Sequence, residues 1–248
     1  MALPHAQLAG SLTRVVVPQL AKAHRAGNSA PQVRRVRAIY GYSVGTILAV
    51  IGGVAPAVVG LVLGPQWGEL TGTVVAIIAL GAIVQSVSWV FNWALVSAGK
   101  TRTFLKSEVP AYLAVILGVI LVAPRGAIAV AFVYTAGQYL RAFLIVIWGP
   151  PALGIGRWEY LRPALGNLLV LAIIFTGGLA LIRVWPNANN VLTVAGGLAW
   201  ALLVITMASL SSKAVRLDVG HSIAQVSRVI GLKPIARLAE RHLIGSAN

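Results

Sequence analysis

The amino-acid sequence predicts an all-α polytopic transmembrane bundle, and three observations carry that prediction: the composition, the length of the apolar runs and the placement of the basic residues. Of the 248 residues, 58% are apolar and 10% charged, against roughly 25% charged in soluble domains, and the mean hydropathy is +0.86. At about 20 residues per span, one membrane domain of six or seven spans uses up the length. Cysteine is absent, which excludes disulfides, thiolate metal sites and cysteine nucleophiles.

The first apolar run extends from about Ile39 to Leu63 and the second from about Thr71 to Ala98. The turn Gly64-Pro65-Gln66-Trp67-Gly68-Glu69 joins them into a helical hairpin. Pro56, after Gly52 and Gly53, lacks a backbone donor and predicts a kink. Two shorter spans, Val109 to Ala123 and Ala127 to Trp148, meet at Pro124-Arg125-Gly126, a link that permits only a tight turn. The last pair runs from Leu165 to Ile182 and from Val191 to Leu210, across a polar link from Arg183 to Asn190.

The net charge is +15, but the cations lie in short connections and in the tail rather than on a soluble face, which argues against nucleic-acid binding. Of the 20 Lys and Arg, 17 fall on one side of the spans: Lys22 to Arg37, Lys100 to Lys106, Arg141, Arg157, Arg162 and six in the tail. Arg125 and Arg183 fall on the other, and Arg14 lies within an apolar stretch. By the positive-inside rule the first side is cytoplasmic and the location a bacterial inner membrane, with the C-terminus inside. Trp67, Trp148, Trp158 and Trp185 fall at predicted interfaces, as an aromatic belt requires.

Both ends of the chain depart from this pattern. His5 to Leu20 is about 16 residues, roughly 24 Å of helix, and contains Arg14. It reads as the inner end of a partial N-terminal span, so the chain is expected to be the C-terminal part of a longer protein; a re-entrant or interfacial helix is the alternative. The segment lacks a basic n-region and a cleavage site, and Arg14 interrupts it, so a cleaved signal peptide is not expected. From Lys213, basic residues alternate with apolar ones, and Ile223, Val226 and Ile230 recur at i, i+3, i+7. This predicts a basic amphipathic tail lying on anionic lipids, divided by Pro234 into helices near Ser222 to Gly231 and Ile235 to Leu243. The expected domains are therefore a membrane bundle, 1–212, and a cytoplasmic tail, 213–248.

No catalytic constellation is visible. Glu69, Glu108, Glu159, Asp218 and Glu240 are assigned to loops, span ends or the tail, with no buried acidic pair. His5, His24, His221 and His242 are scattered without metal-ligand spacing. The expectation is a protein that is not an enzyme, with no metal and no cofactor. What remains is the polar content of the spans, since unpaired polar groups in hydrocarbon are costly and turn inward. Gln85, Ser88 and Asn92 share one helical face at i, i+3, i+7, and Tyr134, Gln138 and Arg141 share another at i, i+4, i+7. Two readings stay open: a hydrophilic translocation cavity between these helices, or hydrogen bonds that only fasten the bundle. Arg14 either binds an anionic group in such a cavity or snorkels to the surface.

Three segments carry a family resemblance. Val15-Val16-Val17-Pro18-Gln19-Leu20-Ala21-Lys22, a span end followed by a basic loop, Leu63-Gly64-Pro65-Gln66-Trp67, an outer hairpin turn, and Ala94-Leu95-Val96-Ser97-Ala98-Gly99-Lys100-Thr101-Arg102, a helix-ending turn, occur in this order. The chain resembles the C-terminal half of Wzx-type polysaccharide and O-antigen flippases, of the multidrug/oligosaccharidyl-lipid/polysaccharide superfamily, over about residues 6–150. The resemblance implies one lobe of a two-lobed transporter that moves a polyprenyl-diphosphate-linked saccharide to the periplasmic leaflet for lipopolysaccharide or exopolysaccharide synthesis. It also implies a second lobe from missing N-terminal residues, another polypeptide or a homodimer. Arg14 and Arg141 are then the candidate diphosphate ligands, and Gln85, Asn92 and Gln138 the sugar-facing groups, with Ser88 and Tyr134 on the same stripes. Alternatives are a lipid II flippase relative, a non-transporting scaffold subunit or a gene fragment; a multidrug antiporter would want a mid-span acid.

Overall fold

The computed structural model describes residues 16–27, 29–186 and 188–229. Helical residues 16–25 (α1) are followed by α2 (Ser29–Gly53), α3 (Ala55–Leu63), α4 (Gly68–Ser97), α5 (Thr101–Val122), α6 (Ala127–Ala152), α7 (Arg157–Val184), α8 (Asn190–Ser211) and α9 (Lys213–Val229). Among the described residues 92% are helical and none is in a strand, and six helices are long and apolar enough to cross a membrane. The chain is a multi-pass all-α membrane protein.

The turns form where the sequence supplies the needed backbone. Gly99 and Gly154 both take φ +69°, a left-handed conformation that costs a side-chain-bearing residue about 1–2 kcal/mol. Each ends its helix with the same pair of bonds. Lys100 N–H donates to Leu95 O and Gly99 N–H to Val96 O, while Ile155 N–H donates to Pro150 O and Gly154 N–H to Pro151 O. The hairpins α3–α4 and α5–α6 close through short 3-10 turns, Pro65–Trp67 and Ala123–Arg125, and Asn189 caps α8 by accepting from Val191 N–H at 3.1 Å. The expected kink is present: Val54 (φ −114°, ψ 31°) separates α2 from α3, with Pro56 in the first turn of α3.

Helices α2 and α4 form the centre of the bundle, their spans 56% and 50% buried. They pack on each other, α2 also meets α7 and α9, and α4 also meets α6. Helices α5 and α8 are peripheral, 17% and 22% buried. On α5, Leu113, Ile116, Leu117, Ile120 and Leu121 are 53–75% exposed, an apolar stripe that water would not tolerate but acyl chains match. Small residues let the backbones touch, as membrane packing favours: a Cβ on Gly53 would lie 2.7 Å from Phe175 O, and one on Gly178 2.9 Å from Gly53 Cα.

Turns 98–100 and 153–156 and helix α9 gather at one end, where Leu20, Val33, Ala94 and Leu153 share a buried cluster. This basic end differs from the sequence expectation in one systematic way. The three helices that start there, α2, α5 and α7, begin at Ser29, Thr101 and Arg157, eight to ten residues before the expected starts Ile39, Val109 and Leu165. Each extension carries a charged residue that finds a partner: Arg34 with Glu159, Arg37 with Asp218 and Glu108 with Arg141. Trp67, Trp158 and Trp185 are 54–67% exposed near helix ends, in keeping with an interfacial belt.

The tail also differs. Helix α9 is continuous from Lys213 to Val229, so it begins well before Ser222, and it packs on α2, α7 and α8. Val219, Ser222 and Ala224 are buried while Ile223 is 37% exposed, so Ile223 itself is off the docked face. Ile230, Pro234 and the second tail helix lie outside the described residues.

Candidate functional site

The main buried polar centre lies where α4, α5 and α6 meet. Arg141, 11 residues before the end of α6, is 6% exposed, and Glu108 on α5 is 4% exposed. Arg141 Nε donates to Glu108 Oε1 at 2.6 Å, and Asn92 Nδ2 from α4 donates to the same oxygen at 2.9 Å. The guanidinium carbon lies 5.2 Å from the Trp89 ring centroid and 5.6 Å from that of Tyr112. The cation is thus held by a carboxylate and two aromatic faces, and the carboxylate in turn accepts from the Asn92 amide, an arrangement that compensates charges removed from water. Tyr112 is itself 54% exposed, so a single ring separates Arg141 from the outer surface.

This geometry corrects two expectations. Glu108 lies within a helix rather than in a loop or at a span end: α5 starts at Thr101, and Phe104, Ser107, Glu108 and Ala111 recur at helical spacing on its inward face. Arg141 is likewise a buried mid-helix charge rather than a cation at the inner end. The bias of basic residues toward one end survives the removal of Arg141 from the tally.

The other expected site residues are only partly brought together. Gln138 is buried, with its side-chain oxygen unpartnered, as is Asn92 Oδ1. Ser88 is buried but turns its hydroxyl to its own helix, donating to Gln85 O at 3.3 Å, and Gln85 is half-buried. Tyr134 is 37% exposed and leaves the stripe. Arg14 lies outside the described residues. Nor do α4 and α6 face each other across a cavity at this level. A Cβ on Gly81 would lie 3.1 Å from Thr135 Cα and 3.2 Å from Gln138 Cγ, and Thr135 Oγ1 donates to Ile77 O at 2.7 Å. The two helices pack directly there.

A second buried cluster ties α9 to the bundle. Arg37, fully buried on α2, donates from Nη2 to Asp218 Oδ2 at 3.2 Å and from Nη1 to Pro163 O at 3.1 Å. Ser222 Oγ donates to Ala38 O at 3.2 Å. Burial raises the Asp218 carboxyl above its ordinary value of 3.8, while Arg37, His221 and Arg34 pull it back down. Both side-chain amide atoms of Asn167, wholly buried on α7 against Gly41, are unpartnered. The sequence offers no local signal for this pair, because Arg37 and Asp218 stand 181 positions apart in two segments that read as solvated and basic.

Comparison of the chain with protein-family models, with curated proteins and with solved structures finds no match.

Proposed function

We propose that the chain is one lobe of a transporter that carries a polyprenyl-diphosphate-linked saccharide across a bacterial inner membrane, with α9 on the cytoplasmic side. The observation that supports this most is the buried Arg141. A guanidinium deep in a membrane helix is costly and marks an anion or ion path more often than a fastening. Arg141 is kept near the lobe surface by Tyr112, with orphaned amide oxygens of Asn92 and Gln138 on the adjoining helix faces. Glu108 acts as the resting counter-ion, and the diphosphate competes with it for Arg141. No bond is made or broken. A second lobe would complete the cavity that α4, α5 and α6 do not enclose alone.

One observation favours a second reading, a static scaffold subunit: Glu108 already neutralises Arg141, and α4 packs directly on α6. Export separates the two. In cells lacking their own flippase, the complete protein restores surface polysaccharide. The charge-free pair Glu108→Gln/Arg141→Gln reaches the membrane in normal amount but does not restore it. Normal surface polysaccharide with the paired variant would remove Arg141 from transport and favour the scaffold.

A further inference from the structure

The basic end carries one large open groove, about 520 Å³, between α5 and the end of α6, lined by Arg102, Leu105, Lys106, Val109, Pro110 and Trp148. Its lining is ordered. Arg102 and Lys106 come from the first two turns of α5, one turn apart on the same helix face. Val109 and Pro110 lie one to two turns further in, and the exposed Leu113, Ile116 and Leu117 continue the apolar surface along the helix. Cations at the mouth, hydrocarbon behind and an indole beside them follow the order of a phospholipid, from phosphate through the interfacial region to acyl chain.

Neither cation has a carboxylate partner among the described residues: the three ion pairs use Arg34, Arg37 and Arg141. Two like charges at i, i+4 repel each other, and the groove offers no acid or hydroxyl to offset them. We propose that the groove is a binding site for an anionic phospholipid of the leaflet at the basic end, with Arg102 and Lys106 on the phosphate and Trp148 at the level of the glycerol. An acidic protein segment fits less well, because the walls below the cations are apolar and continuous with the lipid-facing surface of α5. The site is distinct from Arg141 and does not rest on the transport reading.

The test is native mass spectrometry of the full chain in detergent, titrated with phosphatidylglycerol or with phosphatidylcholine of the same acyl chains. Wild type should prefer phosphatidylglycerol by about 10- to 30-fold, the effect of two interfacial cations. Arg102→Gln/Lys106→Gln should reduce that preference to about twofold or less, with helicity and melting temperature unchanged because both side chains are exposed. Arg125→Gln/Arg183→Gln, which removes the same charge from the opposite end, should keep it. Phosphatidylglycerol with brominated acyl chains should also quench wild-type fluorescence more than that of Trp148→Phe. A folded Arg102→Gln/Lys106→Gln protein that still prefers phosphatidylglycerol would overturn the proposal, as would equal loss in the opposite-end control. The first outcome would be expected if an acidic protein were the occupant.

Discussion

Arg141 and Glu108 neutralise each other where neither would be tolerated alone, and this mutual dependence sets what substitutions do. Truncating Arg141 to Ala leaves the Glu108 carboxylate buried with only Asn92 beside it, a loss of about 3–5 kcal/mol. Removing both charges with Glu108→Gln/Arg141→Gln should cost less than the single change, since the amides keep the shape and no charge is stranded. Thermal unfolding of wild type, Arg141→Ala and the double variant in one detergent tests this; a double variant as unstable as Arg141→Ala would contradict the pairing. At this scale the sequence was half legible. Arg141 and Asn92 were visible as polar residues on helical stripes. Glu108 was not, because the apolar window that begins at Val109 excludes it. Only the spacing of Phe104, Ser107, Glu108 and Ala111 carries the helix back to Thr101.

Among the elements, α9 is the one whose role changes most. Its charge pattern describes a helix resting on lipid, yet the structure docks it on α2 through Arg37, Asp218 and Ser222. Burial raises the Asp218 carboxyl above 3.8, and Arg37 only partly reverses this. The folded protein therefore binds that proton more readily than the unfolded chain, so this group adds stability as pH falls through the raised value and gives its full contribution below the ordinary one. Mild acidification, from about pH 7 to about pH 5, should not release α9 through Asp218. The melting temperature of wild type should rise relative to that of Asp218→Asn, in which the titration is absent, as pH falls through the raised value; a relative fall would refute the assignment. The turns, by contrast, were legible: Gly99, Pro65, Pro124 and Pro56 sit where the chain bends, since glycine and proline act through local backbone geometry. The clasp of Arg37 with Asp218 is a contact between distant segments, and local pattern does not encode it.

For the whole molecule, the six spans and their alternation were readable because hydrocarbon imposes one rule on every helix. How the helices pack was not, since it depends on close approaches such as Gly53 on Gly178. The absence of cysteine makes topology directly testable. In intact cells a membrane-impermeant maleimide should label Gln66→Cys and Arg125→Cys, and reach Lys100→Cys only after permeabilisation; the reverse pattern would invert the bundle. A transporter lobe of the proposed kind must receive the diphosphate at Arg141. The most direct measurement of this is the binding of a polyprenyl diphosphate, and of the matching polyprenol, to the complete purified protein. Wild type should hold the diphosphate at least about 10-fold more tightly than the alcohol, a charge-assisted contribution that Glu108→Gln/Arg141→Gln abolishes. Equal affinity for the two lipids in wild type, or a diphosphate preference that survives in the paired variant, would contradict it.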